Sequence, residues 1–148
     1  MSGSCFVDTN VLVYSRDGSE PDKQPVAAGW LAVLWERRLG RVSTQVLNEY
    51  LVTVTRKLSP GLPWGEAWLD VEALLAWNPV PVDTALLRRA NSVRDQAGLS
   101  WWDSLIVAAA LASDSEWLVS EDLAEGLTVD GVRVVNPFRR SPRDVLGR

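Results

Sequence analysis

Hydrophobic positions follow two rhythms along the chain. Short dry runs, "CFV" at 5–7, "RVST" at 41–44, "WLVS" at 117–120 and "VRVV" at 132–135, read as buried strands. Between them apolar residues return every three or four positions, which is helical spacing. "NVLVY" turns into a short helix after Asp8. Residues 26–39 place Trp30, Leu31, Leu34 and Trp35 at that spacing, with Gly40 as the stop. Thr44 caps the next helix, which runs to about Leu58 with Leu47, Tyr50, Leu51 and Val54 on one face. "SPGLP" breaks it, and Pro63 opens a helix whose stripe is Trp64, Trp68, Val71 and Leu75. "NPVPV" is extended. Asp83 caps "TALLRRANSVRDQAG", Gly98 ends it, and Ser100 caps a helix that is almost wholly apolar, "WWDSLIVAAAL". Trp101 and Trp102 are expected to pack at its start.

Strands alternating with helices predict an α/β domain with a parallel sheet and right-handed crossovers. The length of 148 residues fits one domain, 1–148, with a core over about 4–138 and a basic tail over 139–148. In such a sheet the working crevice lies outside the carboxyl ends of the strands.

Four acids are expected at that edge. Asp8 follows the first strand, and Asp122 comes shortly after "WLVS". Asp103 falls in the first turn of the apolar helix, and Glu49 in the second turn of the helix leaving "RVST". Each also has a plain structural use. Asp8 and Asn10 can cap or turn, Glu49 can be a solvated helix residue, and Asp103 can complement the helix dipole. Asp122 can cap a turn, and its neighbour Glu121 reads as solvated.

Composition narrows the chemistry. There is no histidine and a single cysteine, Cys5, in an apolar run. That removes Ser-His and Cys-His nucleophiles, imidazole ligands, thiolate zinc sites and disulfides. Four carboxylates gathered together repel unless protons or cations intervene. A hard divalent ion resolves this, because Mg²⁺ and Mn²⁺ take carboxylate and water oxygens. One or two such ions activate water and stabilise a phosphoryl group in an in-line displacement. The formal charge is −4, from 19 acids and 15 basic residues, so the four proposed acids equal the whole deficit. That net charge argues against a passive nucleic-acid binder. No charged leader and no membrane-length apolar run is seen, which sets a cytoplasmic, membrane-free expectation.

The segments "FVDTNVLVY", "STQVLNEYL", "WWDSLIVAAAL" and "LVSEDL" through "GVRVVNPF" together resemble the PIN-domain ribonucleases, specifically the VapC-type toxins of bacterial toxin–antitoxin pairs. The resemblance runs from about residue 5 to residue 138. It implies a three-layer α/β/α sandwich and Mg²⁺- or Mn²⁺-dependent cleavage of single-stranded or looped RNA. It implies that Asp8, Glu49, Asp103 and Asp122 are catalytic and hold one or two metal ions, with Asn10 and Ser120 in support. Ser120 stands where the family carries a hydroxyl residue, often Thr. The family's spacing selects Asp122 over Glu121, which should point away. The resemblance also implies a cognate antitoxin and a homodimer. Arg16, Arg88, Arg89, Arg139, Arg140 and Arg143 are candidates for phosphate contact, or simply solvated.

Three other readings remain open. Phosphoryl-transfer receivers and phosphatases also gather acids at strand ends, but they use a late lysine, and none follows Lys57. A non-catalytic interaction module would keep the fold but not its chemistry, and the presence of all four acids argues against it. A PIN nuclease of RNA processing would act without an antitoxin. Trp30, Trp35, Trp64 and Trp68 read first as core, and second as a groove for an amphipathic partner segment.

Overall fold

The computed structural model describes residues 3–147; residues 1, 2 and 148 of the expected 1–148 unit lie outside it. Five strands form one sheet among the described residues: β1 (Cys5–Val7), β2 (Gly40–Arg41), β3 (Trp117–Val119), β4 (Thr128–Val129) and β5 (Val132–Val135). Their order is β2-β1-β3-β5-β4. The first four in that order run parallel, and β4 is antiparallel at the edge. The sheet is therefore parallel as expected, with one hairpin added. That hairpin turns at Asp130 and Gly131, both with positive φ (45° and 93°), the conformation that favours an Asp-Gly pair.

Seven α-helices surround the sheet: α1 (Thr9–Tyr14), α2 (Lys23–Arg37), α3 (Thr44–Val52), α4 (Trp64–Leu74), α5 (Thr84–Ala97), α6 (Trp101–Ala112) and α7 (Pro142–Leu146). They give the α/β/α layering. α6 lies along β1, β3 and β5 with α5 packed outside it, while α1 to α4 pack on one another as a second group. α6 is buried without interruption from Ser104 to Leu111, which explains why its sequence is apolar all round.

Several local readings shift. Ser43, not Thr44, caps α3, its Oγ accepting from Val46 N–H at 3.3 Å. The continuous helix expected to Leu58 changes to a π-helical turn over Thr53–Lys57. "NPVPV" contributes only one parallel bridge, Val80 to Ser43. α2 ends at Arg38, which itself takes the left-handed conformation (φ 58°), so Gly40 is not the stop. Gly40 is needed for another reason: the Trp77 ring lies within 2.5 Å of where its Cβ would be. α4 turns Ala67, Val71 and Leu74 inward, so Trp64 (60% exposed), Trp68 and Leu75 face outward. Trp30 is core, its Nε1 donating to the Pro137 and Arg140 carbonyls at 3.1 Å. Trp35 is partly exposed against Trp77. Trp101 is half-buried and Trp102 exposed. The basic tail is not a plain coil: Ser141 and Asp144 form a capping box that opens α7.

No helix among the described residues is long and apolar enough to cross a membrane.

Candidate active site

β1 connects to β2 on one side, whereas β3 leads to β5 on the other. Neighbouring strands whose connections diverge leave a crevice at their carboxyl ends. Here the crevice lies between Asp8, directly after β1, and Ser120, directly after β3. Ser120 Oγ donates to Asp8 Oδ2 at 2.8 Å across it.

Asp8 does two jobs that the sequence left as alternatives. Its Oδ1 accepts from Thr9 N–H at 2.7 Å as the N-cap of α1. Its Oδ2 faces the crevice and accepts from Ser120 and from Asn10 Nδ2, the latter at 3.2 Å. Burial pushes its carboxyl up to about 6. The bonds from Ser120 and Thr9 pull the other way, and the charges of Asp122 and Glu49 add to the rise.

Asn10 is the hub. Its Nδ2 lies 3.2 Å from Asp122 Oδ2 and 3.3 Å from Ser120 Oγ, and its Oδ1 accepts from Glu121 N–H at 3.1 Å. Ser120 is fully buried, and its Oγ also accepts from Asp122 N–H at 3.2 Å, which orders the loop carrying that acid. Glu49 is exposed, and its Oε1 accepts from Thr9 Oγ1 at 3.2 Å. Thr9 was not singled out from sequence, although "DTN" placed it between two residues that were.

Asp103 stands apart. Ser100 Oγ accepts from its backbone N–H at 3.2 Å as the helix cap, and its half-buried carboxylate makes no hydrogen bond or ion pair among the described residues. α6 leads back into β3, so its first turn lies at the carboxyl edge. Its neighbours Trp102 and Leu105 line a cavity together with Glu49.

Glu121 points away from Asp122, as expected, but it is not merely solvated. It accepts from Lys23 Nζ at 2.6 Å and Tyr14 Oη at 2.8 Å. Burial opposes its charge, yet these two bonds hold its carboxyl below the usual range. The pairing ties α1 and α2 to the loop after β3.

Two arginine candidates are occupied. Arg16 forms a two-pronged pair with Asp70 (2.6 and 2.9 Å) and reaches Glu66 at 3.3 Å. Arg140 pairs with Glu125 at 3.1 Å. Arg88, Arg89 and Arg139 carry no ion pair among the described residues.

No three His, Cys, Asp or Glu side chains among the described residues stand close enough to enclose a metal ion. The Asn10 amide instead spans Asp8 and Asp122. The donor chemistry nonetheless fits a hard cation. Every candidate donor is a carboxylate oxygen, and Asp8 is a buried acid with no cationic partner among the described residues. Mg²⁺ keeps several waters and takes only one or two carboxylates, so it does not require a closed cage.

A family model for the PIN domain matches residues 5–124. No curated protein matches the chain. Among solved structures, a chain from a toxin–antitoxin complex of Klebsiella pneumoniae shares the fold with a TM-score of 0.63. It is 19% identical, and the match covers 90% of this chain and 98% of that one.

Proposed function

The chain belongs to the PIN domain family, and from that membership we propose that it is a divalent-metal-dependent endoribonuclease, the toxin of a toxin–antitoxin pair. The observation that carries this reading is the bonded set Asp8, Asn10, Ser120 and Asp122 across the switch-point crevice, with Glu49 joined through Thr9. The toxin assignment draws on the fold shared with the Klebsiella chain. A homodimer, a protein antitoxin and a cytoplasmic setting belong to the same reading.

Asp8, Glu49, Asp103 and Asp122 would hold one or two Mg²⁺ or Mn²⁺ ions. Such an ion, when bound, supplies positive charge for the phosphoryl transition state and a source of hydroxide near neutral pH. The protein's own residues do the rest. Ser120 and Thr9 N–H fix the Asp8 carboxylate in one orientation. Asn10 keeps Asp8 and Asp122 at a set spacing without adding formal charge. Thr9 orients Glu49 by a single hydroxyl bond. The buried body of α6 anchors Asp103 as a rigid element should. The absence of histidine is consistent with this, since no imidazole is needed as base.

Protein freed of any partner is expected to cut single-stranded RNA with Mg²⁺ or Mn²⁺ and to stop in EDTA. Asp8→Ala and Asp103→Ala should each lower the rate by about 100-fold or more, above the 10- to 100-fold usual for outer-shell partners. Cleavage that survives EDTA, or that both variants retain at full rate, overturns the reading.

A further inference from the structure

Beside the edge strand β2 lies a cavity of about 840 Å³. It begins toward the amino ends of the strands, away from the acids, where Arg38 ends α2 and Ser113 ends α6. Trp35 and Trp77, packed against each other, supply an aromatic wall. Three arginines line it, Arg38, Arg41 and Arg89. None of them has an ion pair among the described residues. Arg41 is half-buried and is held by Nη1, which donates to the Gly40 carbonyl at 2.8 Å and the Arg38 carbonyl at 3.4 Å. Its Nε and Nη2 have no acceptor among the described residues. Asp83 is the one acid in the lining, and its Oδ1 already accepts from Leu86 N–H at 2.9 Å as the cap of α5. Three guanidiniums and one carboxylate leave a formal +2 there, in a chain whose total is −4. Like charges around one cavity repel, so this lining favours an anion. The guanidinium fork matches phosphate oxygens in pairs.

The cavity adjoins the carboxyl edge. Val80, Pro81 and Asp83 line it, while Val82, between them, lines the cavity that holds Glu49. This segment is pinned to the head of α3. Thr44 N–H donates to the Val80 carbonyl at 2.9 Å, and Val82 N–H donates to Thr44 Oγ1 at 3.3 Å. One short fixed segment therefore divides the arginines from the edge that carries the acids.

We propose that this cavity is an exosite for the substrate strand, its arginines holding backbone phosphates of RNA away from the cut. The proposal rests on the nuclease reading for its substrate class. Cations joined with an exposed aromatic ring form the kind of groove that tracks a single strand without reading its sequence. Trp35, 40% exposed, supplies that ring. An acidic protein segment would answer the arginines alone. Followed past Val82, it would lay its acids against Glu49, whereas a phosphodiester strand arrives there as the substrate of the proposed metal site. The exosite also gives a chain of net negative charge a local field that attracts a polyanion.

The experiment has two arms. In EDTA, the full chain is titrated against a labelled single-stranded RNA of mixed sequence, and anisotropy is followed over a salt series. Each phosphate contact adds about 0.7 to the slope of log affinity against log salt for a single strand. Arg38→Gln combined with Arg89→Gln, both at exposed positions, should lower that slope by about 1.4. Between about 50 and 200 mM salt, wild type then loses about 7-fold more affinity than the double variant. Arg56→Gln with Arg133→Gln removes the same charge outside the cavity and should change the slope far less. With Mn²⁺, cleavage is compared on a long RNA and on a fragment too short to reach both sites. The Arg38/Arg89 variant should raise KM for the long RNA by about 10-fold at physiological salt. Its kcat should stay unchanged, the sign of lost uniform binding, and the fragment should be cut as by wild type. A slope and KM equal to those of wild type overturn the exosite and leave the nuclease standing. Absence of wild-type cleavage defeats the nuclease reading, and the binding arm alone then judges the cavity. Wild type that binds no RNA overturns the proposal. So does a mononucleotide that displaces the RNA at equal concentration, which shows a small-ligand site. A peptide rich in Glu and Leu that binds through Arg38 and Arg89 more tightly than RNA assigns the cavity to a protein partner and overturns it too.

Discussion

Asp8 receives three hydrogen bonds and still resists its charge. Burial outweighs the donors, and the folded carboxyl sits at about 6 against an ordinary 3.8. The folded state therefore holds the Asp8 proton more tightly than the unfolded chain does. In the metal-free protein this contribution to stability is complete below about pH 4 and is lost as pH rises through 6. The difference across that window is on the order of 3 kcal/mol. Denaturant titrations in EDTA should show wild type gaining on Asp8→Asn as pH falls from 7 to 4. A constant gap between the two across that range would show that Asp8 ionises normally. The sequence suggested both uses of Asp8, as cap and as site acid. It did not suggest that one carboxylate serves both, because the division of its two oxygens depends on Ser120, more than a hundred residues away.

At the scale of elements, legibility followed burial on both sides. α6 was readable because nothing polar interrupts Leu105–Leu111, and β1, β3 and β5 because they lie in dry runs, whereas β2 forms at Gly40–Arg41 and meets the expected "RVST" only at Arg41. α4 was misread because its large aromatics suggested a core stripe, whereas Ala67, Val71 and Leu74 carry the packing. Small residues announce a close-packed face less loudly than tryptophans do. β4 was missed although "TVDGVRV" holds an Asp-Gly turn signal. Gly40 looked like a helix stop, and its true constraint came from Trp77, far along the chain. A methyl at Gly40 would meet that ring, which is itself buried and packed against Trp35 at a 45° tilt with centroids 4.8 Å apart. Gly40→Ala should cost about 1–3 kcal/mol, as overpacking commonly does, and a chemical melt measures it. An unchanged midpoint would mean that the Trp77 ring shifts freely.

For the whole molecule, the sheet's switch point and the charge balance make one argument. The fold brings Asp8, Glu49 and Asp122 near enough for their charges to act on one another, and it places Asp103 on the same edge. The rest of the chain is neutral, since removing four of 19 acids leaves 15 against 15 basic residues. The four acids of the carboxyl edge alone equal the formal charge of −4. A folded state that concentrates repulsion in this way should be stabilised by a cation that the unfolded chain, with its acids dispersed, does not hold. Mg²⁺ or Mn²⁺ at 100 times its Kd should add about 2.7 kcal/mol. For a domain of this size that raises Tm by roughly 5–10 °C. Na⁺ at matched ionic strength should not reproduce the rise, and Asp8→Asn should remove most of it. Thermal melts of wild type and variant, with and without the divalent ion, test this without reference to any RNA. Equal rises in the two proteins would place the ion elsewhere on the surface.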